Sequence, residues 1–163
     1  MNLAAAVAAV CGAPPERITP LIGGCVAEVY RLDFAGRPPL VAKVAAEGDA
    51  GSGLAVEGFM LDYLAAHTAL PVPATRHVSD ELLLMDYIEN RPGRGAAAEE
   101  DAAEHLATLH GVHAAEFGFQ RDTVIGALPQ PNSWTANWCD FYREHRMLTM
   151  GSIARESGRL PAE

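Results

Sequence analysis

The sequence predicts an α+β fold: a mostly antiparallel sheet with one helix beside it in the first half, and helices in the second. Three observations carry that expectation. Tyr30, Leu32 and Phe34 alternate with Arg31 and Asp33, the period of two that marks a half-buried strand. Leu40–Ala46 is a second apolar strand holding a single charge, Lys43, and the tight connection makes the two an antiparallel pair. Beyond Asp101 the apolar and aromatic residues recur at helical spacing.

In chain order, Leu3–Cys11 is Ala-rich and apolar and predicts an opening helix; it lacks the basic segment of a signal peptide. Ile18–Phe34 is strand-like, interrupted at Gly23-Gly24, and Gly36-Arg37-Pro38-Pro39 breaks the chain before the next strand. Gly48–Gly53 is a break. A helix follows in which Glu57 shares a face with Met60, Leu61 and Leu64, until Pro71-Val72-Pro73. Ala74–Val78 and Leu82–Ile88 are strands separated by Ser79-Asp80, and Asn90–Gly95 reads as a linker. Glu99-Glu100-Asp101 opens a helix at its favourable acidic end, with Leu106, Leu109, His110 and His113 as its inward stripe. A loop spans roughly 117–132. A last helix starts near Asn132 or Ser133, with Trp134, Trp138, Phe141, His145 and Leu148 on one face. The expected division is 1–88, a lobe with its N-terminal helix, and 89–163, a linker followed by the first part of a helical lobe.

The bulk properties exclude several classes. With 163 residues and 49% of them hydrophobic, the chain can build a sizeable core. Its net charge of -9 and scattered Lys and Arg argue against nucleic acid or anionic membrane as a partner. No apolar run reaches the ~20 residues of a membrane span. Cys11, Cys25 and Cys139 form no CxxC pair, so neither a zinc site nor a disulfide framework is indicated, and a reducing cytoplasm fits best. His105, His110 and His113 lack an evident companion ligand and read as structural histidines.

The chemistry centres on Lys43. A charge within Leu40-Val41-Ala42-Lys43-Val44-Ala45 is costly unless it finds a partner, and Glu57 brings a carboxylate on the apolar face of the next helix. Read singly, Lys43 is equally a lysine whose stem lies along apolar surface, and Glu57 a solvated helix residue. In this order, after a glycine turn, they match the parts with which kinases grip ATP. The lysine supplies charge to the phosphates, the glutamate orients it, and glycine admits backbone N–H groups. Gly23-Gly24-Cys25 is not the Gly-x-Gly-x-x-Gly of protein kinases, which disfavours that group. Met85, Asp86, Tyr87 and Ile88 stand where a kinase chain crosses between lobes and reads adenine; the plainer reading is a last core strand.

Phe117-Gly118-Phe119, Asp122, Ile125-Gly126, Pro129-Gln130-Pro131-Asn132, Trp134, Trp138-Cys139-Asp140-Phe141-Tyr142, Glu144 and Arg146 follow Leu106-Ala107-Thr108-Leu109-His110. In this order they resemble the middle of the fructosamine/ketosamine kinases, and the Gly23-Gly24-Cys25 turn resembles that family's phosphate loop. The resemblance implies a protein-kinase-like fold using ATP and Mg²⁺ to phosphorylate a sugar hydroxyl of ketosamines on amines or protein lysines, which frees the amine. An aminoglycoside- or choline-kinase-like enzyme and a non-catalytic truncated remnant are the rivals. By the same resemblance, the ATP-binding residues are Gly23, Gly24, Cys25, Lys43, Glu57, Met85, Asp86, Tyr87 and Ile88. The catalytic and metal-binding aspartates are expected downstream of Glu163. Leu109-His110-Gly111-Val112 is helix, since Val112 can neither accept a proton nor bind a metal. The segment alone is therefore expected to be inactive, and the uncovered aromatic helix to favour self-association. Cys25 is either a thiol sensitised by backbone N–H dipoles or an unreactive small residue.

Overall fold

The computed structural model describes residues 1–22, 27–45, 53–89, 95–126 and 128–161. The chain divides into two compact units, Met1–Val112 and His113–Glu163. The division expected at 88 instead leaves a further helix with the first unit.

The first unit holds α1 (Leu3–Cys11), β1 (Arg17–Pro20), β2 (Ala27–Phe34), β3 (Arg37–Ala45), α2 (Leu54–His67), β4 (Thr75–Val78), β5 (Leu82–Asp86) and α3 (Ala96–His110). Its five strands form one antiparallel sheet in the order β1-β2-β3-β5-β4. Alternation along the strands sorts the core into two faces. On one, Leu32, Ala42, Val44, Leu82 and Leu84 bury Val7 of α1. On the other, Leu83 and Met85 meet Leu54 of α2, with Val41, Ala45 and Leu61 beside them. Residues Leu82 to Met85 are thus buried in succession, which explains an apolar run without alternation.

Caps set the helix bounds. Asn2 accepts the Ala5 N–H at 3.2 Å to start α1, and Gly12, at φ 77°, ends it. Helix α2 stops at His67, short of the prolines, because Thr68 folds back and bonds the Leu64 carbonyl with both its N–H and its hydroxyl. Pro38 and Pro39 do not break the chain before β3. The turn is confined to the start of that segment, at Gly36 with φ 64°, and the β2–β3 pairing jumps from Phe34↔Arg37 to Leu32↔Leu40. That irregularity leaves the prolines without a ladder N–H to supply. Helix α3 begins three residues before Glu99 and buries none of its residues; Leu106 is 51% exposed, and His113 lies beyond its end.

The second unit holds β6 (Thr123–Ile125), β7 (Leu128–Gln130), α4 (Trp138–Tyr142), a π-helical segment (Arg143–Leu148) and α5 (Thr149–Glu156). The expected loop over 117–132 therefore contains an antiparallel hairpin. The last helix begins at Trp138, not near 132, because Asn137 is the cap and accepts the N–H groups of Cys139 and Asp140. Trp134 lies outside the helix.

The approach of α2 to the sheet depends on Gly58. A Cβ there would lie 2.5 Å from a methyl of Val78 on β4. Replacing Gly58 by Ala should improve intrinsic helix propensity by about 1 kcal/mol, yet lower unfolding stability by about 1–3 kcal/mol through overpacking. Urea unfolding of the variant checks the sign, and a gain in stability would refute the packing account.

Candidate active site

Strand β3 puts Lys43 on the α2 side of the sheet, beside Val29 of β2, its register partner. Helix α2 starts after Gly53, which sits at φ 70°, and its first turn carries Glu57. There the carboxylate lies at the favourable end of the helix dipole. The two side chains meet, with the Lys43 ammonium donating to Glu57 Oε1 at 2.5 Å. They are 27% and 35% exposed, so the pair is half-buried and its charge open to solvent on one side. Ion pairs of this exposure add little stability. The arrangement's chief effect is to fix the lysine ammonium on the strand face that it shares by alternation with Val41 and Ala45.

The strand end at β5 separates the four residues expected to face adenine. Met85 is buried on the Lys43 side. Asp86 is not on that side: its carboxylate takes two bonds from the Arg76 guanidinium, at 2.6 and 2.7 Å, and its N–H donates to the Ala74 carbonyl. The Tyr87 N–H donates to the Pro39 carbonyl at 3.3 Å. Ile88, 60% exposed, has no such backbone bond among the described residues. Gly23, Gly24 and Cys25 lie outside the described residues.

Sequence reasoning missed the other half of this surface. Arg31 extends from β2 with its guanidinium 4.4 Å from the centre of the Tyr87 ring, a cation–π contact tying the strand to the residues after β5. Asp33 receives Arg31 at 2.8 Å and Arg17 at 3.1 Å. The hydrogen bond from Arg31 is the main reason the Asp33 carboxyl titrates below its ordinary range. The period-two pattern did place Arg31 opposite Tyr30 and Leu32, so its face was legible; its partner across the sheet was not.

The residues of the Pro129–Arg146 motif form a knot inside the second unit. Asn132 is 4% exposed and fully bonded. Its N–H donates to Asp122 at 2.9 Å; its amide donates to the Arg121 carbonyl and to the Thr123 hydroxyl. Arg146 donates to its oxygen at 2.6 Å and to the Pro131 carbonyl at 2.8 Å, and lies over the Phe141 ring. Phe117 and Thr135 exchange backbone bonds at 2.8 Å. Gly118, at φ 153°, leaves no room for a Cβ, which would meet the Trp134 Cα at 2.8 Å. These residues brace the hairpin against the helix.

An α+β fold whose antiparallel sheet presents a strand lysine to a helix glutamate places the chain in the kinase-like class. Fructosamine kinase is the family whose model matches residues 2–162, and the chain belongs to that family. It is 32% identical to a probable ketoamine kinase of Enterococcus faecium over 88% of this chain and 50% of that one. It is 36% identical to the chloroplastic protein-ribulosamine 3-kinase of Arabidopsis thaliana over 45% of this chain and 23% of that one. Among solved structures, one described as a fructosamine-3-kinase from Thermobifida fusca superposes with a TM-score of 0.79 at 29% identity, covering 98% of this chain and 56% of that one. Another, from Haemophilus somnus, gives 0.81 at 22% identity, covering 99% and 56%. The chain spans about half the length of curated relatives that it matches over most of its own length.

Two expectations follow. Asn132→Ala removes the amide that bonds the Arg146 guanidinium and the Thr123 hydroxyl, leaving each one bond short, while the backbone bond to Asp122 survives. It should cost about 2–3 kcal/mol, read in urea by tryptophan fluorescence, since Trp134 and Trp138 both sit in this unit. The Arg76 hydrogen bonds, outweighing burial, lower the Asp86 pKa below its ordinary 3.8. A lowered carboxylate pKa stabilises the fold above the unfolded-state value, and that contribution fades as pH falls through the folded-state value. Asp86→Asn should therefore melt below the unaltered chain at pH 7, with the gap closing towards pH ~2; a gap independent of pH would contradict the assignment.

Proposed function

We propose that this chain supplies the ATP-gripping part of a kinase that phosphorylates a sugar hydroxyl of ketosamines, the products of sugar addition to amines and protein lysines. The observation carrying this is the Lys43–Glu57 contact across β3 and α2. The glutamate occupies one of the three ammonium donors and leaves two for phosphate oxygens. Val29, Val41 and Met85 offer an apolar surface beside that charge, and the backbone at Ile88 offers edge hydrogen bonds to adenine. Gly23, Gly24 and Cys25, outside the described residues, are the phosphate-binding residues of this proposal. Bound ATP supplies the phosphoryl group; this chain's own part is to hold and orient it. No cluster of three carboxylate, imidazole or thiol groups among the described residues suits Mg²⁺, so no step is assigned to the metal here. The metal ligands and the base would come from the half of the relatives' length that this chain does not span.

The substrate class rests on the family and on the ketoamine and ribulosamine kinase relatives. A glycated amine, free or on protein, is the substrate reading most consistent with them. No described helix is long and apolar enough to cross a membrane.

Titration of the chain with ATP in a calorimeter should show saturable binding. Lys43→Ala should weaken it by about tenfold or more, the equivalent of about 1.4 kcal/mol, and Glu57→Gln by less. Phosphorylation of a fructosyl-lysine peptide by the purified chain should stay at background on the proposal that the base and metal ligands lie in the half of the relatives' length that this chain does not span. Binding unaffected by Lys43→Ala would remove the basis for the assignment, and turnover at ordinary kinase rates would place the catalytic groups within this chain.

A further inference from the structure

The face of the sheet turned away from Lys43 carries a cavity of about 500 Å³. It opens between the end of α1 and the strand ends, and every residue lining it belongs to the first unit. Val10, Phe34, Pro38, Pro39 and Leu40 make it largely apolar. The volume lies within the ~300–1,000 Å³ typical of small-molecule sites, which combine apolar walls with a few polar groups.

The polar groups define what such a site would accept. Arg76 and Asp86 also line it but satisfy one another through two hydrogen bonds, so they offer little net charge. Arg37 differs. It donates to the Cys11 carbonyl at 3.0 Å and lies 5.8 Å from the centre of the Phe34 ring. It has no carboxylate partner among the described residues. A guanidinium has five N–H donors and matches the geometry of a carboxylate. The cavity therefore presents one uncompensated cation at the edge of an apolar hollow.

We propose that this cavity is a second ligand site, distinct from the Lys43 face, for a small carboxylate with an aromatic or branched apolar body. The apolar part fills the space among Val10, Phe34 and Leu40, and the carboxylate pairs with Arg37. Asp86 and Tyr87, both among the residues expected to bind ATP, also line the cavity, so it borders that candidate adenine edge, although Leu40 and Asp86 alternate away from the strand face that carries Lys43.

Cys11 lines the cavity as a free, partly exposed thiol and supplies a local readout, while Cys139 is exposed elsewhere. The test measures alkylation of each cysteine by iodoacetamide, peptide by peptide, with 4-phenylbutyrate or its neutral amide as the probe. The carboxylate should slow Cys11 about threefold or more at saturation and leave Cys139 unchanged. The amide should need about tenfold higher concentration, which corresponds to about 1.4 kcal/mol. Arg37→Gln should abolish that preference, and Lys43→Ala should leave it intact. No protection of Cys11, equal protection by acid and amide, or equal slowing of Cys139 would each overturn the proposal. The acid–amide comparison on the unaltered chain stands even where Arg37→Gln disturbs the fold.

Discussion

The close seating of α2 on the sheet is the constraint from which the first unit's chemistry follows. The helix rests on Leu83 and Met85 through Leu54 and Leu61, and Gly58 lets its backbone approach Val78. A hydrogen bond from the Thr75 hydroxyl to Asp62 ties its middle to β4. Held from these sides, the first turn of α2 can bring Glu57 to only one place along β3, and Lys43 is there. A glycine in mid-helix is unfavourable by intrinsic propensity, so here packing overrides propensity. The charge pair is a product of this packing more than a cause of it.

The second unit is organised differently. Its polar centre is one asparagine, with a carboxylate, a hydroxyl, two carbonyls and a guanidinium arranged around it or its arginine partner. Buried polar groups must be fully bonded to be tolerated, and a network in which every member is satisfied admits few alternative geometries. That accounts for the run of residues around Asn132 by packing and hydrogen bonding. Its identity is set by what must fit around Asn132, and at Gly118 by the absence of space for a side chain.

Much of the fold was legible because it rests on short-range rules. The opening helix follows from Leu3–Cys11, β2 from its alternation, and the Lys43–Glu57 contact from the cost of an unpaired charge within an apolar strand. What escaped sequence reasoning depends on register and tertiary context. Pro38 and Pro39 read as a break, since their accommodation requires knowing where the β2–β3 ladder slips. Asn132 read as a helix cap because its residue type fits that role; only the fold shows it bonded instead to Asp122, Thr123 and Arg146. Asp86 was placed towards the nucleotide with its neighbours, although strand alternation alone would have set it on the face opposite Met85.

The π-helical segment from Arg143 to Leu148 has a consequence for comparing this chain with its relatives. Each turn bonded from i to i+5 takes up one residue more than an α-turn. The faces of α4 and α5 are therefore out of phase, and the stripe from Trp138 to Leu148 that a regular helix would align is broken partway. Loss of one residue within this stretch would give the backbone a more regular hydrogen-bond pattern. It would also rotate Arg146 relative to Asn132, so length variation here is easy for the main chain and hard for the side chains.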